Sequence, residues 1–177
     1  MRAVGLIPCR LKSTRLPSKA LLMIDSLPII VHTMKRAQLA KSLDDVYVCT
    51  DSEEIANVVR SHGGKSIITR SEHTNGTERI AEAAESLDAD LFVNIQGDEP
   101  MVDPAIVNQL VDTFEDEFVE MATVASTVID NFDYVNPNSV KVMIDENGFA
   151  SAFRRETKDF EIGGYYHHVG MYGYRKE

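Results

Sequence analysis

Short apolar runs alternate with helical patterns over the first two thirds of the chain, and this alternation limits the possible folds more than any other feature. Four runs are typical of buried strands: residues 3–8, 46–50, 66–68 and 91–95. Helical periodicity lies between or after them, at residues 28–41, 53–62, 77–87 and 103–118. Strands and helices that alternate through short links form βαβ units. The sequence therefore predicts an α/β fold with a mixed, mostly parallel sheet.

The pattern changes after residue 121. Three strand-like runs, at residues 122–129, 140–144 and 168–174, have no long helix between them. Turn-forming residues separate them, notably Asn136-Pro137-Asn138 and Glu146-Asn147-Gly148. We expect a mixed or antiparallel extension of the sheet within a single domain, residues 1–177, whose halves are 1–120 and 121–177.

A basic loop follows the first predicted strand. The first 24 residues contain five basic side chains and no acidic one, whereas the whole chain has a net charge of -10. The five are Arg2, Arg10, Lys12, Arg15 and Lys19. An open α/β sheet binds ligands at the carboxyl ends of its strands, and converging cations suit a polyphosphate. The loop has no glycine run, so it is neither a P-loop nor a dinucleotide-binding turn. A solvated charged loop is the alternative explanation.

Composition argues against several classes of partner. An acidic protein lacks the broad basic face that nucleic acids require, and no apolar run is long enough for membrane insertion. The N-terminus has no signal-peptide pattern, so we expect a cytoplasmic protein. Cys9 and Cys49 are too few for a disulfide framework or a zinc site, and we expect two reduced thiols.

Two further motifs lie at the predicted ligand edge of the sheet. Gln96-Gly97-Asp98-Glu99-Pro100 follows the fourth strand, where the Asp98 carboxylate could hold Mg²⁺ against phosphates. His73-Thr74-Asn75-Gly76-Thr77-Glu78-Arg79 leads into a helix N-terminus, which favours an anion or nucleotide. A plain helix cap is an equal alternative there. Cations combined with one acidic turn suit phosphoryl-group chemistry, which depends on positioning and charge neutralisation.

Together these motifs resemble the 3-deoxy-manno-octulosonate (Kdo) cytidylyltransferases, or CMP-Kdo synthetases. The resemblance rests on the basic loop from Ile7 to Lys19, on Gly76-Thr77-Glu78-Arg79 and on Gln96-Gly97-Asp98-Glu99-Pro100. Two later segments also match: Asn136-Pro137-Asn138-Ser139-Val140-Lys141-Val142 and His168-Val169-Gly170-Met171-Tyr172-Gly173-Tyr174-Arg175. The resemblance covers nearly the whole chain and implies a Rossmann-like nucleotidyltransferase fold of the glycosyltransferase-A-like type.

The resemblance also implies a reaction and a set of site residues. The anomeric hydroxyl of a 3-deoxy sugar acid attacks the α-phosphate of CTP in the presence of Mg²⁺, giving a CMP-sugar and pyrophosphate for lipopolysaccharide biosynthesis. The implied catalytic residues are Arg10, Lys19 and Asp98, with Asp98 as the Mg²⁺ ligand. The implied CTP contacts are Pro8, Cys9, Arg10, Arg15, Lys19, Asn75, Gly76 and Gln96. The implied sugar-acid contacts are Arg154, His168 and Tyr172.

The resemblance further implies a homodimer in which residues 1–120 bind the nucleotide and residues 121–177 begin the sugar-binding and dimerisation half. The family continues beyond residue 177, so we expect a chain truncated at its C-terminus. The family's usual Ser-Arg-x-x-Ile-Pro is replaced here by Phe153-Arg154-Arg155-Glu156-Thr157, without Ile-Pro. Kdo and 8-amino-Kdo are therefore both options for the sugar. Two alternatives stay open: a nucleotidyltransferase of the spore-coat-polysaccharide type and a non-catalytic nucleotide-binding fragment.

Overall fold

The chain folds into two compact units, which we describe separately. The computed structural model describes residues 1–11, 18–156 and 164–176. The first unit comprises Met1–Ala122 and Met171–Glu177, and the second comprises Thr123–Gly170. The segment after residue 121, which the sequence analysis treats as one half, is thus divided between the two units.

The first unit contains alternating strands and helices. Its strands are β1 (Ala3–Cys9), β2 (Met23–Ile24), β3 (Leu27–Pro28), β4 (Asp45–Thr50), β5 (Lys65–Ile68) and β6 (Leu91–Asn94). Its helices are α1 (Ile29–Ala37), α2 (Glu53–Ser61), α3 (Gly76–Glu85) and α4 (Pro104–Asp112). Strands β7 (Met121–Ser126) and β10 (Tyr165–Arg175) contribute residues to both units.

The sheet of the first unit has the order β5-β4-β1-β6. The pairs β4–β5, β1–β4 and β1–β6 are all parallel, and the last residues of β10 add an antiparallel strand beside β6. The prediction of a mixed, mostly parallel sheet is therefore confirmed. Parallel strands are covered on both faces by their crossover helices, which explains why β1 and β6 are apolar except for Asn94 and buried except for the half-buried Pro8.

Side-chain caps set the starts of three helices of the first unit. The hydroxyl of Ser52 accepts a hydrogen bond from the Ile55 amide, Asn75 caps α3 through the Glu78 amide, and Asp103 caps α4. Each cap satisfies an amide that has no partner within its helix.

Two helices end at least four residues earlier than their periodicity predicts. Helix α1 stops at Ala37 instead of residue 41, and the amides of Leu39 and Ala40 instead donate to carbonyls three residues back. Helix α4 stops at Asp112 instead of residue 118, and a 3₁₀ turn follows at Thr113–Glu115. Tightening of the last turn in this way is common where orphan carbonyls need donors.

The second unit is built around an antiparallel sheet. It contains most of β7, together with α5 (Asn131–Val135), β8 (Lys141–Ile144), β9 (Ala150–Arg154) and the first residues of β10. Strand β8 pairs antiparallel with β9 and with the start of β10. This confirms the expected change from parallel to antiparallel pairing, although α5 and β9 themselves were not predicted. Across the described ranges, no helix is both long enough and apolar enough to cross a membrane.

Candidate functional site

A cavity of about 290 Å³ opens where several chain segments of the first unit meet. The carboxyl end of β1, the 3₁₀ turn at Lys19–Leu21, the N-terminus of α3 and the turn after β6 form its walls. Its lining residues are Pro8, Cys9, Arg10, Lys19, Ala20, His73, Thr74, Asn75, Gly76, Arg79, Gln96, Gly97 and Asp98. The position agrees with the rule that ligands bind at the carboxyl ends of the strands in an open α/β sheet.

The described end of the basic loop brings Lys19 to the cavity. The Ser18 amide donates to the carbonyl of Leu11 at 3.1 Å, and Ser18 has a left-handed φ of 55° before the 3₁₀ turn begins. The Lys19 ammonium then lies 2.6 Å from a carboxylate oxygen of Asp98, with both side chains about half exposed. Two basic positions of the loop, Lys12 and Arg15, lie outside the described residues.

The turn after β6 needs glycine at position 97. A Cβ atom placed on Gly97 would lie 2.8 Å from the carbonyl oxygen of Pro8, which is closer than van der Waals contact allows. The buried Thr33 hydroxyl lies 3.3 Å from the carbonyl of Gly97 and can donate to it. The two strand ends therefore approach each other closely, and this approach places Asp98 beside the basic loop.

A hydrogen-bond network fixes the segment before α3. The Asn75 side-chain oxygen Oδ1 accepts from the Glu78 backbone amide, while the Glu78 carboxylate accepts from the Thr74 backbone amide at 2.8 Å and from the Asn75 side-chain amide at 2.7 Å. The hydrogen bonds from Thr74 hold the pKa of Glu78 below its usual range. A second hydrogen bond joins His73 to Glu82. The segment is thus both a helix cap and a cavity wall. A capping role and a role in contacting an anion or nucleotide are therefore compatible.

Arg79 is a buried cation in the cavity wall. Its guanidinium donates to the Asp51 carboxylate at 3.2 Å, to the Thr69 hydroxyl and to the Arg70 carbonyl, and only 3% of the residue is exposed. Arg79 belongs to the motif at residues 73–79, and no individual role was predicted for it. One signal was available, because Arg79 shares a helical face with the buried Ile80 and Ala83 and a charge on an apolar face is almost always paired.

Both cysteines are buried free thiols. Burial raises the pKa of Cys9 to about 12 and that of Cys49 to about 12. At neutral pH both therefore stay protonated, which makes Cys9 a neutral lining residue without the reactivity of a thiolate.

The charges of the lining residues suit a polyanion. Within the described part of the chain the cavity has three permanent cations, Arg10, Lys19 and Arg79, against a single carboxylate, Asp98. The N-terminus of α3 adds the partial positive charge of its free amides.

The predicted sugar contacts are not among the lining residues of this cavity. Arg154 is exposed at the end of β9 in the second unit. His168, also in the second unit, is buried; its Nε2 lies 3.0 Å from the Thr123 hydroxyl, and its ring packs edge-on to Phe153. Tyr172 belongs to the first unit, where its ring stacks on Tyr174 with centroids 6.0 Å apart and burial raises its pKa.

The cavity therefore brings together every predicted CTP contact that lies in the described part of the chain: Pro8, Cys9, Arg10, Lys19, Asn75, Gly76 and Gln96. It adds the predicted metal ligand, Asp98, and it adds residues to which the sequence analysis gave no role: Ala20, His73, Thr74, Arg79 and Gly97. The individual roles of these side chains stay predictions.

Comparison with known proteins identifies the family. A cytidylyltransferase family profile matches residues 4–177. A 3-deoxy-manno-octulosonate cytidylyltransferase from Thermodesulfovibrio yellowstonii is 38% identical over 98% of this chain and 75% of its own length. The corresponding protein of Fusobacterium nucleatum is 41% identical over 100% of this chain and 74% of its own.

Structural comparison agrees with the sequence matches. A solved CMP:2-keto-3-deoxy-manno-octonic acid synthetase in complex with CTP superposes with a TM-score of 0.92 and 36% identity, over 99% of this chain and 74% of that one. Taken together, the parallel sheet, the polar cavity at its carboxyl edge and these matches show that the chain belongs to the 3-deoxy-manno-octulosonate cytidylyltransferase family of nucleotidyltransferases.

Proposed function

We propose that this chain transfers the cytidylyl group of CTP to the anomeric hydroxyl of a 3-deoxy sugar acid. The observation that carries the proposal is the cavity in which Arg10, Lys19 and Arg79 converge beside Asp98 at the carboxyl edge of the sheet. The CTP complex of a relative that is 36% identical supports CTP as the nucleotide. The names of the curated relatives support Kdo as the acceptor.

In this reaction the sugar oxygen forms a bond to the α-phosphorus as the bond from that phosphorus to the β-bridging oxygen breaks. Pyrophosphate leaves, and the hydroxyl proton passes to solvent. Arg10 and Lys19 hold the triphosphate and neutralise its charge, which is the main task in phosphoryl-group transfer. Phosphate oxygens of CTP replace Asp98 as the partner of the Lys19 ammonium. The Asp98 carboxylate is then available as a metal ligand.

Asp98 fits the Mg²⁺ site that the family implies. Across the described ranges, no three or more His, Cys, Asp or Glu side chains form a cluster that could hold a metal unaided. Mg²⁺ usually binds one or two carboxylates together with substrate phosphates and water, and the exposed Asp98 oxygens at the cavity meet that need. When bound, Mg²⁺ would neutralise negative charge on the phosphate oxygens.

A pyrophosphate-release assay tests the proposal. The full chain is incubated with Mg²⁺, with CTP, UTP or ATP, and with Kdo or 8-amino-Kdo. We expect release with CTP and at least one of the two sugar acids, and the comparison between them identifies the acceptor. Absence of release with CTP and either sugar acid would refute the proposal. Release with another nucleotide instead would favour the spore-coat-polysaccharide type of transferase.

Two variants separate binding from turnover. Lys19→Ala should lose CTP affinity in calorimetry, whereas Lys35→Ala, on the exposed side of α1, serves as the matched lysine control. Asp98→Asn should lose turnover while it keeps part of its CTP affinity. CTP binding without turnover in the unmodified chain would instead identify a nucleotide-binding fragment.

The biological setting is part of the same proposal. We place the product in lipopolysaccharide biosynthesis and the protein in the cytoplasm as a homodimer, as the family implies. Light scattering during size-exclusion chromatography tests the dimer, and a monomeric mass would refute it.

A further inference from the structure

Lys141 is a charged residue inside an apolar strand of the second unit. It opens β8, whose other residues are Val142, Met143 and Ile144, and it has no exposed surface. Fully buried lysines are rare because removing an ammonium from water is costly. Burial accordingly lowers the pKa of Lys141. A charge kept at such a position needs a compensating network.

Three backbone carbonyls supply that network. The Lys141 ammonium donates to the carbonyls of Asn136 at 3.0 Å, Ser139 at 2.9 Å and Arg155 at 2.6 Å. A lysine ammonium has three N–H donors, so each donor has an acceptor. The carbonyls come from two segments: the turn at residues 136–139 and the residue directly after β9. Lys141 therefore joins that turn to the end of the strand that carries Arg154.

A second bond ties the same two segments together. The Arg155 guanidinium donates to the carbonyl of Pro137 at 3.2 Å. In the β8–β9 pair, Lys141 lies opposite Arg154, whose own side chain is exposed. The backbone on both sides of Arg154 is thus held by the sheet and by Lys141, while the guanidinium stays accessible.

We infer that Lys141 is a positioning residue for the sugar acid, because it fixes the backbone that presents the Arg154 guanidinium to the acceptor's carboxylate. The inference rests on the proposed function and on the role that the family resemblance implies for Arg154, a contact of the sugar acid. It distinguishes the two substrates: among the described residues, those that line the CTP cavity belong to the first unit, whereas the contacts of Lys141 belong to the second. Loss of Lys141 should therefore weaken binding of the sugar acid and leave CTP binding unchanged.

The test compares Lys141→Met with Lys65→Met in the full chain. Lys65 is an exposed lysine on another strand, β5, where it pairs with Asp45, and it serves as the matched control. Calorimetry measures the Kd of Kdo and, separately, the Kd of CTP, and circular dichroism checks that each variant is folded. We expect Lys141→Met to raise the Kd of Kdo at least tenfold and to leave that of CTP within twofold, with both values unchanged in Lys65→Met.

A gentler variant covers the case in which Lys141→Met does not fold. Among the described residues, Arg155→Ala removes the side-chain bond to Pro137 and keeps the backbone carbonyl that pairs the buried ammonium, and we expect it to raise the Kd of Kdo about threefold. Unchanged Kdo affinity in the folded variants would overturn the inference, and so would equal weakening of Kdo and CTP, because that marks a merely structural lysine. If the unmodified chain binds neither Kdo nor 8-amino-Kdo, the proposed function itself fails; if it binds only 8-amino-Kdo, the same comparison of variants is made with that sugar acid.

Discussion

Two arginine–carboxylate pairs in the first unit differ mainly in burial, and this contrast gives a direct test of the cavity's electrostatics. Arg79 lies 3.2 Å from Asp51, with 3% and 17% of the two side chains exposed. Arg60 lies 3.0 Å from Glu53, with 47% and 69% exposed. We predict that Asp51→Ala destabilises the protein much more than Glu53→Ala.

The magnitude follows from the environment of the cation that each substitution leaves behind. Removing one partner of a buried pair costs about 3–5 kcal/mol of unfolding free energy, because the other charge stays buried. Arg79 keeps its bonds to Thr69 and Arg70, and the other Asp51 oxygen is buried with no hydrogen-bond partner among the described residues. Both facts place Asp51→Ala near the low end, at about 3 kcal/mol. Glu53→Ala leaves Arg60 exposed to water and should lower the unfolding free energy by less than about 1 kcal/mol.

Thermal unfolding followed by circular dichroism measures both variants at the same pH and ionic strength. For a protein of this size, a change of 1 kcal/mol shifts the Tm by about 2–4 °C, so Asp51→Ala should lower the Tm by about 6–12 °C and Glu53→Ala by less than about 4 °C. Equal shifts in the two variants would refute the reasoning, since burial would then have no effect on the strength of the pair.

Three other outcomes follow from the same structure. Gly97→Ala should weaken CTP binding about tenfold in calorimetry, because its Cβ would lie 2.8 Å from the Pro8 carbonyl and displace the cavity wall; unchanged affinity would show that the wall can yield. Cys9 and Cys49, whose pKa values burial raises to about 12, should resist iodoacetamide at neutral pH in the folded protein and react only after denaturation, as mass spectrometry would show. Burial lowers the pKa of His168 from 6.5, so the unfolded chain binds the proton first as the pH falls. The unfolding free energy should therefore be independent of His168 ionisation well above pH 6.5 and should decrease as the pH drops below 6.5. His168→Gln should reduce this decrease in urea titrations, and an identical pH slope in the variant would contradict the prediction.

The position of the cavity could be predicted from sequence because it depends on topology. Arg10 follows β1 and Asp98 follows β6, and these strands are parallel neighbours. Once the alternation of strands and helices indicates a parallel sheet, residues that follow different strands must meet at one edge. Their 88-residue separation along the chain is no obstacle to this inference, because the strand order supplies the proximity.

The small elements could not be predicted in the same way. Strands β2 and β3 have two residues each, so they contain no period to detect. Strand β9 is mostly exposed, and its Ala-Ser-Ala-Phe-Arg sequence has no clear alternation of apolar and polar residues. Its pairing with β8 creates the strand, and pairing is a tertiary property that local sequence does not specify.

Lys19 and Lys141 show which roles of a charged residue can be predicted from sequence and which cannot. Lys19 received its predicted role from its place in a basic loop, and the structure puts it in the cavity wall. No role of its own was predicted for Lys141 beyond its matching segment, although it opens an apolar strand, a position where a charge must either point to solvent or be fully paired. Lys141 is paired because its ammonium donates to the carbonyls of residues 136, 139 and 155. The carbonyl of residue 155 reaches Lys141 through the β8–β9 pairing. The full pairing of this buried lysine therefore depends on the same tertiary contact that local sequence does not specify.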